Sequence, residues 1–132
     1  MSQEIYINNL LKELGCPICS KGFNMLKSAI LKVLENKDLT NFITKNLYIE
    51  IAKEFGISYY SAERCMRYCI EGAFYKTRTK KLFELFENQI DYKKDKATTK
   101  EFILIVVNYI ETNNLSNKGW VNEQFNFKRN YT

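Results

Sequence analysis

Apolar residues recur at helical spacing along most of this chain, and the pattern is most telling from Thr44 to Lys76. There Ile51, Phe55, Ile57, Ala62 and Cys65 fall where two packed helices need an interior face, with Ala52 at a small-residue position and Gly56 at a turn. The spacing predicts a helix-turn-helix. Its first helix spans about 45–55, capped by Thr44 and turning Leu47 and Tyr48 inward. Gly56 allows the chain a positive φ, and the second helix starts at Ser58 or Tyr59, with Ser58 the better cap.

The flanking segments read as scaffold. Ser2 caps a first helix carrying Ile5, Leu10, Leu11 and Leu14, which Gly15 and Pro17 stop. After Gly22, the positions of Phe23, Leu26, Ala29, Ile30, Val33 and Leu34 give a second amphipathic helix, followed by a turn or short helix around Asp38 to Ile43. A further helix is predicted from about Thr79 to Asn88 through Leu82, Phe83, Leu85 and Phe86, and a polar loop at 91–96. Thr98 and Glu101 form a capping box for a last helix ending near Glu111. Apolar residues cover nearly all of its circumference, so it is expected to be central or to lie against a partner. The expected organisation is one domain over 1–111 and a polar, aromatic-containing tail over 112–132. That tail reads either as a loosely ordered end or as an arm using Trp120, Phe125 and Phe127, or Lys128 and Arg129.

Composition sharpens this to an all-α protein. The 132 residues include one proline and five glycines, with 45% hydrophobic and 27% charged residues. The longest apolar run, Phe102 to Val107, is six residues, against roughly 18 for a membrane span, and no signal peptide opens the chain. A cytoplasmic protein with reduced cysteines is expected. Histidine is absent, which removes Ser/His and Cys/His nucleophiles and the usual general base, and no glycine-rich phosphate loop occurs. No catalytic step and no cofactor are therefore expected. Of the formal net charge of +5, a share of +4 lies between Lys76 and Lys100, which suits a polyanion.

The candidate chemistry lies on the second helix of the motif. Ser58, Tyr59, Tyr60, Glu63, Arg64 and Arg67 point outward there, a set able to hydrogen-bond and stack against base edges. Cys16 and Cys19 form a CPIC, and Cys65 and Cys69 an i, i+4 pair, so a four-cysteine zinc site can be written down only if two distant elements converge. Small buried thiols are the expected reading, with no metal.

The residues from about Ile7 to Glu111 resemble the DNA-binding effector domain of the sporulation master response regulator of spore-forming bacteria. The likeness rests on Gly15 with Pro17, Lys21-Gly22, Ile43-Thr44-Lys45, Leu47-Tyr48, Ile51-Ala52-Lys53, Glu63-Arg64, Arg67, Ile70-Glu71, and Lys96 with Thr98 and Glu101-Phe102. The resemblance implies a compact six-helix bundle that binds a short promoter box in double-stranded DNA, with the second motif helix in the major groove. Glu63, Arg64 and Arg67 then match base- and backbone-contacting positions, joined at the base edges by Tyr59, Tyr60 and Ser61. Ser58, Lys45, Lys76 and Lys96 are the expected backbone contacts. Where the family has an arginine this chain has Ser61, and Tyr59 and Tyr60 replace small residues, so an altered box is expected. The resemblance further implies contact with RNA polymerase and its sigma factor around Thr77 to Ile90, including Phe86; a homodimer on DNA is a separate expectation. A chain of this length has no room for the family's receiver domain, so phosphorylation control in its familiar form is not expected. The alternative is an interaction protein, independent of DNA, that antagonises a full-length regulator or binds RNA polymerase.

Overall fold

The computed structural model describes residues 3–36, 45–87 and 96–117. Six α-helices occur among them, with no strand: α1 (Gln3–Glu13), α2 (Lys21–Glu35), α3 (Asn46–Phe55), α4 (Tyr59–Glu71), α5 (Lys80–Phe86) and α6 (Thr99–Asn117). A π-helical stretch, Gly72–Thr77, continues α4. The chain is thus all-α, as its pattern predicts. The expected caps at Ser2 and Thr44, the turn at 38–43 and the tail beyond Asn117 lie outside the described residues.

Local chemistry sets most of the helix ends. α1 closes as Gly15 takes a φ of +93° while its N–H bonds to the Lys12 carbonyl and that of Cys16 reaches back to Leu11. α3 repeats this closure at the motif's turn, where Gly56 has φ +67°, its N–H donates to Lys53 and that of Ile57 donates to Ala52. The Ser58 hydroxyl then accepts from the Ser61 N–H at 3.1 Å, a cap that contributes about 1 kcal/mol. Thr79 caps α5 in the same way through the Leu82 N–H. The capping box is formed reciprocally: the Thr98 N–H donates to Glu101 Oε1 at 2.8 Å, and the Glu101 N–H donates to Thr98 Oγ1 at 3.1 Å.

The hydrophobic core forms around α2, which packs against α1, α3, α4 and α6. Phe23, Leu26, Ala29, Ile30 and Val33 are buried as predicted, with Met25 added and Leu34 only half-buried. Gly22 brings α2 directly onto α4: a Cβ placed on it would stand 2.1 Å from the Cys65 carbonyl oxygen. Gly72 plays the matching part on α4's far end, against the Pro17 ring. These two approaches fix the depth of α4 in the bundle.

Three expectations change in the fold. In α1 the inward residue is Ile7, not Ile5, because Ile7, Leu10, Leu11 and Leu14 complete an i, i+3, i+4, i+7 stripe and leave Ile5 exposed. On the motif face, Ile51 and Ala62 are buried, whereas Phe55, Ile57 and Cys65 are half-buried; Met66, Cys69 and Ile70 supply α4's deepest contacts. Finally, α6 continues past residue 111 to Asn117. It buries Phe102, Ile103, Val106, Val107 and Ile110 against α2, α4 and α5, while α2 holds the centre. The short α5 is held at α6 by Phe86, which stacks on Phe102 at 5.3 Å, and by Lys81, which donates to the Tyr109 hydroxyl at 2.6 Å.

Candidate nucleic-acid interface

With Ala62, Met66, Cys69 and Ile70 turned into the core, the opposite side of α4 carries Tyr60, Arg64 and Tyr68 in one i, i+4, i+8 stripe. Tyr60 and Tyr68 are 79% and 58% exposed, high values for aromatic side chains. Arg64 is exposed and makes no ion pair among the described residues. Its five-donor fork is therefore available to an acceptor edge.

Arg67 flanks the stripe in a different state. Its Nη1 donates to Glu63 Oε1 at 2.7 Å, and its guanidinium lies over the Tyr68 ring at 5.5 Å. A half-exposed i, i+4 pair of this kind contributes only about 0.3–0.5 kcal/mol, so the pairing mainly fixes the direction of the guanidinium. Ser61 sits on the other flank. Its hydroxyl oxygen accepts from Ser58 Oγ at 3.1 Å, which leaves its own proton to donate.

Tyr59 departs from the expected outward set. It is half-buried, 5.9 Å from the Tyr48 ring and edge-on to Tyr60 at 5.4 Å, so it props Tyr60 from below. Tyr48 is the base of this aromatic column, and burial pushes its hydroxyl up to about 12, against a weaker opposing pull from Thr99. The sign is that of an acid kept neutral by folding. Its contribution is complete below the ordinary tyrosine value near pH 10 and is lost as pH rises through about 12. Tyr48→Phe is expected to flatten the fall in stability between those values, as read from urea midpoints at stepped alkaline pH. Parallel curves for the two proteins would contradict this.

The expected backbone contacts are distributed around α4. Lys45 is exposed at the start of α3, and Lys76 is exposed in the π-helical stretch. Lys96 is half-buried, with its Nζ 3.7 Å from Glu71 Oε2 at the end of α4. The Ser58 hydroxyl both accepts and donates within the cap, so little of it remains for a phosphate. Tyr68 lies outside the set expected from the sequence, although its spacing of four from Arg64 places it on the same stripe.

Phe86, read from the sequence as part of the apolar face of its helix and, by resemblance, as part of a polymerase surface, takes the first of these places: it is buried between Phe74 and Phe102. The exposed aromatic of α5 is Phe83, with the Arg78 guanidinium 5.4 Å over its ring. Among the cysteines, Cys16 does meet Cys69, as the 15–20 loop folds onto the end of α4. Hydrogen bonding to Cys69, reinforced by burial, pushes the Cys16 thiol up, while the bond from Cys16 lowers Cys69. No group of three or more His, Cys, Asp or Glu side chains among the described residues is placed to hold a metal ion.

A helical bundle that packs a helix-turn-helix against its core, with arginines and tyrosines on the outer side of the second helix, defines a DNA-binding domain of the transcription-factor class. Residues 7–110 match the family described as sporulation initiation factor Spo0A C terminal, from α1 to α6. The chain belongs to that family, whose members are helical domains for DNA binding and transcription regulation in sporulation. No helix among the described residues is long and apolar enough to cross a membrane.

Proposed function

We propose that α4 enters the major groove of double-stranded promoter DNA and reads a short box there. The observation that carries this is the Tyr60, Arg64, Tyr68 stripe, whose arginine is exposed and has no ion-pair partner among the described residues. Arg64 presents two parallel donors to the O6/N7 edge of guanine, and Ser61 and Tyr60 add donors and a stacking surface. Glu63 braces Arg67 from 2.7 Å and is itself placed to accept from a cytosine amino group when Arg67 turns to a base or phosphate. Tyr59 supports Tyr60 and makes no base contact of its own.

Lys45, Lys76 and Lys96 take backbone phosphates, Lys96 by exchanging the Glu71 carboxylate for a phosphate at similar distance. A promoter-box duplex selected from a random pool should bind more tightly than its scrambled form and lose affinity steeply as salt rises. Equal and negligible binding of both would end the proposal. Lys96→Ala is expected to weaken selected and scrambled duplexes alike and to lower the salt slope by about one unit. The exposed Phe83 with Arg78 supports a contact with the RNA polymerase sigma factor on the surface formed by α5.

A further inference from the structure

A cleft of about 460 Å³ opens between the first turns of α2, the Gly56 turn and one flank of α4. Its rim carries Lys21, Asn24, Ser61 and Arg64, over an apolar floor that includes Met25 and Ile57. None of the lining residues is acidic. Neither Lys21 nor Arg64 has an ion-pair partner among the described residues, although Lys27 and Lys32 on the same helix both face carboxylates. Two cations, an amide and a hydroxyl with its proton free thus ring an opening whose complement is an anion.

The size and the floor narrow the anion further. The volume is far larger than a bare inorganic phosphate fills, and apolar walls beneath a polar rim suit a group with one charged and one carbon-rich part. Ser61 and Arg64 belong both to this rim and to the outer side of α4, so the occupant must be continuous with whatever α4 reads. A sugar-phosphate unit of the DNA strand satisfies each of these conditions.

We infer that Lys21 and Asn24 clamp one backbone phosphate of the bound duplex, with its deoxyribose over Met25 and Ile57, beside the base pair that Arg64 reads. This rests on the proposed insertion of α4 in the major groove. It adds a second element, the start of α2, to the DNA interface, and it sets the rotation of α4 about its own axis in the groove. In this cleft α2 and the reading residues of α4 line one cavity.

The test combines a protein variant with single neutral linkages in the DNA. Lys21→Ala is expected to weaken every duplex several-fold and to lower the slope of log K against log salt by about one unit. Lys21→Arg should keep both. Replacing one phosphate at a time by methylphosphonate should then reveal a linkage whose neutralisation weakens the unaltered protein but not Lys21→Ala, and Asn24→Ala should lose part of its sensitivity to that same linkage. Lys21 is exposed, so an unchanged melting temperature for Lys21→Ala serves as the folding control. If Lys21→Ala binds with unchanged affinity and slope, or stays as sensitive as the unaltered protein at every linkage, the clamp is refuted while the α4 reading stands. If the unaltered protein shows no salt-dependent duplex binding at all, both fall together.

Discussion

Gly22→Ala is expected to cost the protein about 3 kcal/mol of stability or more, the upper range for overpacking a core contact. The added Cβ would stand 2.1 Å from the Cys65 carbonyl oxygen, 2.7 Å from its carbon and 2.9 Å from the Cys69 Cβ. Two of these atoms are backbone, so no rotamer change relieves the contact and α2 must separate from α4. The neighbouring case of Gly56 calibrates the claim. A Cβ there meets nothing within 4 Å, and the penalty is confined to φ +67°, about 1 to 2 kcal/mol. Urea midpoints should therefore order the proteins as unaltered, Gly56→Ala, Gly22→Ala. A Gly22→Ala protein as stable as the unaltered one would mean that α4 sits less deeply than described.

Arg64→Ala should leave stability unchanged and abolish most of the discrimination at one base pair. A bidentate arginine contact to guanine is worth about 1 to 3 kcal/mol against the wrong base, or about 5- to 150-fold. Binding to scrambled DNA should change far less. Competition titrations with duplexes substituted at each position of the box would show the loss confined to one position. A uniform loss over all duplexes would instead make Arg64 a phosphate contact. Arg67→Ala provides the contrast, because it leaves the Glu63 carboxylate, now without the guanidinium at 2.7 Å, facing the DNA. Its weakening should therefore extend to every duplex.

The parts of this structure that are legible in the sequence are those with a local cause. Gly56 at the turn, Ser58 as a cap, and the Thr98 and Glu101 box depend on chemistry within four residues, and each is found where the pattern puts it. The outward placement of Arg64 and Tyr60 follows from the same periodicity. Pairwise geometry between distant segments is less accessible. The approach of Cys16 to Cys69 arises from how the 15–20 loop folds over α4, and the sequence carries no periodic trace of it. Lys21 likewise joins the reading side only because Gly22, its neighbour, brings α2 onto α4. The six additional residues of α6, 112–117, contain mostly polar side chains whose composition reads as coil, yet the helix continues through them. Tyr59 departs from the outward set for a simpler reason: it lies at the border of a helix face, where a turn of a few tens of degrees decides between core and surface.

The π-helical stretch at Gly72–Thr77 gives the segment after α4 an unusual capacity for change. A π turn holds one residue more than the α-helical turn it replaces, so loss of a single codon there would restore regular winding. Because the wider turn takes up its extra residue within one turn of winding, the Arg78–Phe83 surface and α5 would keep nearly the same bearing relative to α4 after that loss. The segment behind the DNA-reading helix can thus shed a residue while the surfaces on either side of it hold their places.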